Sequence, residues 1–488
     1  GATTAIAPVG GVVLPGIARQ FPFYKGNLEL RGLESQVLTA GKYKYPGFET
    51  RREANPYFVE EFEAILDSWF GDYKRIVAES RKLDEKKVEQ IIDTALLAAE
   101  EARNVGLVDT LTYYEDYRDR VVTRERFRKP KAEESEFAKI NSLQDFVEAI
   151  TEKMREAQKK YEEVGPKIAI LHARGPIIDA SLGAAYASQV ICRDDFIKVI
   201  EQISGDKSIK AVVMKINSPG GSGYASDMIC RKLLELDEKK PLVMCMETVA
   251  GSGGYYIACP GRLIFALPTT ITGSIGVLAM NLSPTGMFNR LDFDWLNMQR
   301  GKRSLLFYGM EAWDEDEKAL IQKYLDWFYE IFLDRVARGR KLSKDRVRQI
   351  AEGRIYTGRQ ALEIGLVDRL GGLEDAVKAA RELANIPPSA ELKLIHFPRP
   401  SSLGELAESF FSVGSAAELM ARANAPAVPL NVEQQMLLLT RFGPRGSVLA
   451  WMPLPDLADV LRPAPGLPTL PGLPVPMQAS GLETLLRP

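Results

Sequence analysis

One block of residues recurs along this chain at a constant offset of 259, and that recurrence limits the architectures open to it. Leu66-Asp67, Arg81-Lys82-Leu83, Val88, Gln90-Ile91 and Gly106-Leu107-Val108-Asp109 return as Leu325-Asp326, Arg340-Lys341-Leu342, Val347, Gln349-Ile350 and Gly365-Leu366-Val367-Asp368. The register holds without a gap. Each copy reads as a long amphipathic helix (Pro56 to Lys82; Asp314 to Lys341), a short helix, and then Gly-Leu-Val-Asp as a turn into a strand. A period this long means duplication of a domain-sized unit, not a solenoid.

The two copies are unequal. Ahead of its long helix the second carries strand–turn–helix alternation from Lys167 to about Gln299. Apolar runs at Ile168–Leu171, Ala211–Ile216, Leu242–Met246 and Leu263–Leu267 are separated by helical patterns near Asp194–Ile203 and Ala225–Leu236. That rhythm predicts βαβ units and a parallel sheet buried on both faces, an α/β fold. The first copy has too little chain before Pro56 for such a core, so it reads as a truncated repeat that kept its C-terminal part. The expected organisation is an N-terminal tail at 1–20, the truncated repeat at 21–123, a charged connector at 124–165, the complete repeat at 166–384 and an extension at 385–488. The connector holds an expected helix from Leu143 to Glu163. The extension becomes Pro/Gly-rich at Pro463-Ala464-Pro465-Gly466-Leu467-Pro468, a composition that fits a loosely packed or partner-bound tail.

Composition closes several routes. At 488 residues with 45% hydrophobic content, the chain can bury a large core. A net charge of −2 supplies no global field for nucleic acid, and no nucleic-acid partner is expected. Cys192, Cys230, Cys245 and Cys259 contain no C-x-x-C pair and read as buried free thiols; no metal or cofactor is expected. No run of eighteen apolar residues occurs. The opening Gly1-Ala2-Thr3-Thr4-Ala5-Ile6-Ala7 lacks an initiator Met, as would a processed start with its targeting segment removed, and as would a cloning boundary.

Three glycine-rich turns are expected after strands of the second copy: Asn217-Ser218-Pro219-Gly220-Gly221-Ser222, Gly251-Ser252-Gly253-Gly254-Tyr255-Tyr256 and Thr272-Gly273-Ser274-Ile275-Gly276. Ligands gather at the carboxyl ends of parallel strands, which makes the trio more specific than any one member. The first turn can present N–H groups at a helix N-terminus, and a tight βα turn would read the same. In the second, a serine between glycines can leave its hydroxyl exposed amid backbone N–H groups, as an acyl-transfer nucleophile requires. A Ser-His-Asp triad lacks a suitable histidine. His172 sits inside an apolar strand, and His396 stands far downstream beside Pro398 and Pro400. If Ser252 is a nucleophile, a lysine base, one of the known variants of that logic, is expected.

These segments, with the Gly-Leu-Val-Asp repeats, resemble the signal peptide peptidase A (protease IV) family of S49 serine peptidases. The likeness runs from roughly Phe21 to Ala384, without the charged connector. It implies a ClpP/crotonase-like spiral fold, tandem repeats in long members, and a Ser/Lys dyad with its serine from the C-terminal repeat and its lysine from the N-terminal one. The serine matches Ser252. The family's Gly-x-Tyr-Lys motif reads Gly41-Lys42-Tyr43-Lys44 here, so the lysine falls on Lys44. The second copy's counterpart, Gly301-Lys302-Arg303-Ser304, has no lysine at the matching place, in keeping with a site shared between copies. Ser274 matches the serine thought to orient the amine. Gly251 stands where the family usually has alanine, and Tyr45-Pro46-Gly47-Phe48-Glu49 replaces its Ser-Ala and Glu-Pro-Phe-like stretch.

The chemistry is coherent on its own terms. Enclosure in an apolar site disfavours an ammonium and lowers a lysine's pKa, so a desolvated Lys44 within reach of Ser252 could accept its proton. Backbone N–H groups of Gly253 and of Gly220 or Gly221 would then hold the oxyanion. The leading expectation is a membrane-associated serine endopeptidase that cleaves signal peptides or other short apolar peptides. A catalytically silent family member serving as a structural subunit, and a crotonase-like acyl-CoA enzyme, are the alternatives. The apolar stripe of the first long helix (Phe58, Phe62, Ile65, Leu66, Trp69, Phe70) must pack on the second copy or on a neighbouring chain. A ring-like homo-oligomer, with tetramer the family-based expectation, or a place in a larger assembly follows. A thylakoid, a mitochondrion and a bacterial inner membrane all stay open.

Overall fold

The computed structural model describes residues 4–113, 116–117, 165–179, 189–293, 303, 305–307, 311–398 and 449–451. The expected connector helix, the Pro/Gly-rich tail, and Gly301, Lys302 and Ser304 lie outside them. In chain order the principal elements are β1 (Glu34–Ala40), α1 (Pro56–Arg81), α2 (Glu85–Thr94), β2 (Lys167–Arg174), α3 (Arg193–Gly205), β3 (Ile209–Ser218), β4 (Gly220–Ser222), α4 (Gly223–Lys239), β5 (Leu242–Gly251), α5 (Gly253–Ala258), β6 (Leu263–Ala266), β7 (Ile271–Gly273), β8 (Val277–Ser283), α6 (Glu315–Arg340), α7 (Lys344–Ile350), β9 (Ile355–Thr357), α8 (Leu373–Leu383) and β10 (Lys393–Phe397).

The four apolar runs form strands of one sheet, ordered β9-β7-β5-β3-β2-β10 with β6 also beside β5. All its pairings among β10, β2, β3, β5, β6 and β7 are parallel, and β9 runs antiparallel to β7. Side chains alternate between two cores. Ala169 and Leu171 enter the larger cluster with α4, α5 and α6, whereas Ile168 and Ile170 face Ala376, Ala379 and Ala380 of α8. A strand covered on both faces has no solvent side, so its sequence is apolar throughout and not alternating.

Two of the expected glycine turns are strands. Gly220–Ser222 is β4, paired with Ile177 in a second, six-stranded sheet, and α4 begins only at Gly223 with Ser222 as its N-cap. Thr272 and Gly273 end β7, not a turn after β6. The physical reason is the length of β5: Val243–Met246 pairs with β6, and Val249–Gly251 is left to pair with β7.

The N-terminal segment docks onto this scaffold within the same chain. β1 pairs antiparallel with β8 over seven residues, from Ala40↔Val277 to Glu34↔Ser283, inside the second sheet. Phe58, Phe62 and Ile65 of α1 are buried. Ile65 packs on Ile271 and Ile355, while Phe21 and Phe48 stack around Phe58 and Phe62. Burial of each such side chain contributes about 1.5–3 kcal/mol. Polar contacts fix the same interface: Trp69 Nε1 donates to Thr269 O (3.2 Å), Gln360 Nε2 to Ala64 O (3.1 Å), and Arg359 pairs with Asp72 (2.7 Å). The stripe expected to need a partner is therefore covered within its own chain, Ile65 and Trp69 by the later segment and Phe58, Phe62 and Phe70 by the N-terminal segment itself.

The recurring residues make recurring contacts. α1 and α6 are each 26 residues long and end at a left-handed lysine, Lys82 (φ 53°) and Lys341 (φ 55°). Arg81 bonds Gly106 O and Asp109 just as Arg340 bonds Gly365 O and Asp368. The Gly-Leu-Val-Asp turns thus clamp each long helix through an arginine fork, a bidentate geometry that lysine could not supply.

Candidate active site

The two parallel strands β5 and β7 end side by side, at Gly251 and Gly273, and each hands the chain to a serine. Ser252 and Ser274 both have positive φ (54° and 52°), a conformation that non-glycine residues adopt only when surroundings over-determine it. Those surroundings are visible. Ser252 N donates to Gly273 O (2.8 Å), and Ser274 N to Arg354 O (2.7 Å). Gly253 follows because nothing larger fits: a β-carbon there would lie 2.6 Å from Ser226 Oγ and 3.2 Å from Gly221 N. The same packing brings the Gly220-Gly221 backbone against the N-terminus of α5.

Lys44 arrives from the N-terminal segment. β1 delivers the chain to Gly41, Tyr43 N donates to Glu352 O (2.9 Å), and Gly353 lies against the lysine backbone, where a β-carbon would sit 2.5 Å from Lys44 Cα. Lys44 Nζ then lies 2.7 Å from Ser252 Oγ, 2.9 Å from Ser274 O and 3.0 Å from Ser274 Oγ. Lys44, Ser252 and Ser274 are fully buried. The hydroxyl of Ser252 is therefore not exposed as its turn sequence implies, because the lysine and the Ser274 corner close over it.

Burial holds the Lys44 ammonium well below the ordinary lysine range, partly opposed by the charge of Glu61. A neutral amine has two N–H bonds and one lone pair. With the N–H bonds directed to the carbonyl and hydroxyl of Ser274, the lone pair faces the Ser252 hydroxyl. That arrangement can move a proton from oxygen to nitrogen.

Gly220 N–H donates to Ser218 Oγ (3.2 Å), whereas Gly221 N converges on Gly253. Lys42 is exposed and pairs with Glu352 at 3.8 Å. The two histidines contact each other, His172 Nε2 to His396 Nδ1 at 2.9 Å, with stacked rings on β2 and β10. All four cysteines are buried and free. Among the described residues no cluster of metal-ligating side chains occurs, and no helix is long and apolar enough to cross a membrane.

Sequence reading missed the segment Glu352–Ile355, which binds both halves of the site, and the buried Glu61 beside it. Arg354 lies over the Tyr43 ring and pairs with Glu60 (2.9 Å). Glu61 had a signal: a carboxylate on the face that also carries Phe58, Phe62 and Ile65 must be buried. The glutamate–strand contacts span 294 residues and had none.

A mixed α/β chain that assembles a buried serine–lysine pair from two distant segments belongs, by its sequence, to peptidase family S49: the family model matches residues 2–127, which hold Lys44, and 235–387, which hold Ser252. The chain is similar to the chloroplastic serine protease SPPA of Arabidopsis thaliana, 29% identical over 410 residues, covering 83% of this chain and 58% of that one. It is 32% identical over 217 residues to a putative signal peptide peptidase SppA of Enterococcus faecium, covering 44% of this chain and 63% of that one. Protease 4 of Haemophilus influenzae is 26% identical over 466 residues, 90% of this chain and 72% of its own length. The matches thus span less than two thirds of the plant and enterococcal relatives.

Proposed function

We propose that this chain is a serine endopeptidase in which Ser252 is the nucleophile and Lys44 the general base, cleaving signal peptides or other short apolar peptides at a membrane. The observation that carries the reading is the 2.7 Å contact between Lys44 Nζ and Ser252 Oγ in a fully buried setting. Lys44 takes the hydroxyl proton as Ser252 Oγ attacks the scissile carbonyl. The N–H groups of Gly253 and Gly221 hold the oxyanion; Gly221 is preferred because Gly220 already donates to Ser218. The ammonium returns its proton to the departing amine, and water, deprotonated by the same lysine, releases the acyl group. Ser274 keeps the amine aimed at Ser252 throughout.

The name of the enterococcal relative, a putative signal peptide peptidase, supports the substrate class and that of the plant relative supports a plastid setting, while the membrane rests on the family resemblance. We read the fold as the ClpP/crotonase-like spiral, with a truncated repeat at 21–123 lending its lysine to a complete repeat at 166–384. The matched helices and arginine clamps support a duplication. A homo-oligomer rests on the family resemblance alone, since the stripe of α1 is already covered. The assembled serine–lysine pair favours an enzyme over a silent subunit. A fluorophosphonate probe tests this: wild type should be labelled and Ser252→Ala should not. Equal labelling of both proteins overturns the reading.

A further inference from the structure

Outside the serine–lysine pair, one buried titratable group touches the same framework and has no part in the scheme above. Glu61 is 5% exposed, on the face of α1 that also buries Phe58, Phe62 and Ile65. Its Oε1 accepts the Ile355 N–H at 2.5 Å. The other end of the same peptide unit, Arg354 O, accepts from Ser274 N, and Ser274 in turn holds Lys44 through its carbonyl and hydroxyl. Two covalently adjacent backbone groups thus connect the carboxylate to the lysine.

We propose that Glu61 is a positioning residue of the dyad: it ties α1 of the first copy to the strand that fixes Ser274, and its carboxyl group governs the proton on Lys44. The consequence for hydrolysis rests on the dyad reading; the linkage to Lys44 does not. The groups that face Glu61 are Lys44 and Arg354, which favour its anion, and Glu60, which opposes it; the Tyr356 phenol also senses its charge. Burial is the larger influence and pushes Glu61 up to about 8. Around that pH the buried carboxyl and the Lys44 amine compete for one proton, the carboxylate favouring the ammonium and the ammonium favouring the carboxylate, so the two titrate as a pair.

Glutamine keeps an oxygen for the Ile355 N–H and removes the charge. In Glu61→Gln the Lys44 midpoint, followed by the NMR signal of 13Cε-labelled lysine and assigned with Lys44→Met, should move down by on the order of one pH unit. It should also collapse to a single step. The acid limb of peptide hydrolysis should move by the same amount with its plateau within about twofold of wild type. Superimposable Lys44 titrations in wild type and Glu61→Gln overturn the inference, whatever the activity. Should the variant fail to fold, wild type alone decides: its Lys44 signal must show two steps, the second near 8, and one step overturns the inference. Hydrolysis that survives in Ser252→Ala overturns the dyad instead, and leaves the NMR result to judge Glu61.

Discussion

Replacing Lys44 by methionine separates a buried base from an ordinary lysine through stability as well as rate. The side chain is fully enclosed, and its ammonium is disfavoured chiefly by desolvation. In the unfolded chain the same amine titrates near 10.5. Between its lowered folded value and that pH the unfolded state therefore carries up to one proton more than the folded state at this residue. Stability rises with pH wherever the unfolded state binds more protons, by about 1.4 kcal/mol per pH unit for one proton. Glu61 works in the opposite direction, because its raised value lets the folded state hold an extra proton, but only up to about 8. Between about 8 and 10.5 the lysine acts alone. Urea unfolding at two pH values one unit apart in that window should show wild type gaining about 1.4 kcal/mol relative to Lys44→Met. Hydrolysis by the variant should fall about 10⁴-fold. Parallel stability curves for the two proteins would mean that Lys44 keeps its proton when folded, and the base assignment would fail with it.

Ser252→Ala should abolish hydrolysis while lowering stability by only about 1 kcal/mol, since the backbone bond to Gly273 remains and one hydrogen bond to Lys44 is lost; combined with Lys44→Met it should reduce the rate no further, and an additive double variant would show that the two act separately. Lys42→Met should retain near-wild-type turnover, because that amine is exposed and paired with Glu352; if it is the inactive one, the lysine register is wrong by two. Gly353→Ala should lose at least tenfold in turnover and about 1–3 kcal/mol in thermal or urea unfolding, as its β-carbon collides with the Lys44 backbone. Unchanged kinetics there would show that the lysine backbone tolerates displacement.

The legible part of this fold is the part written in local pattern. Strand runs such as Ile168–Leu171 are apolar because both faces of the sheet are covered, and α1 and α6 are recoverable from caps and period, beginning at Asn55 and Asp314. Ser252 was findable from its glycines. Lys44 needed the family motif, because nothing near it in sequence distinguishes it from Lys42 or Lys25. Chain pattern could not reveal that β4 and β7 are strands, since each is short and paired through distant partners, Ile177 and Leu449–Trp451 for β4 and Val249–Gly251 and Ile355–Thr357 for β7. Nor could it reveal the enclosure of Ser252, which comes from a lysine 208 residues away.

That separation has a consequence for synthesis. A nascent chain carries Lys44 long before Ser252 exists, and the strand that delivers the lysine, β1, cannot pair until Val277–Ser283 has emerged. Until then the growing polypeptide holds the proposed base without its proposed nucleophile, and a sheet edge with no neighbour. Under the proposed dyad, the order of translation keeps the two halves of the site apart until the strand that delivers Lys44 has found its partner.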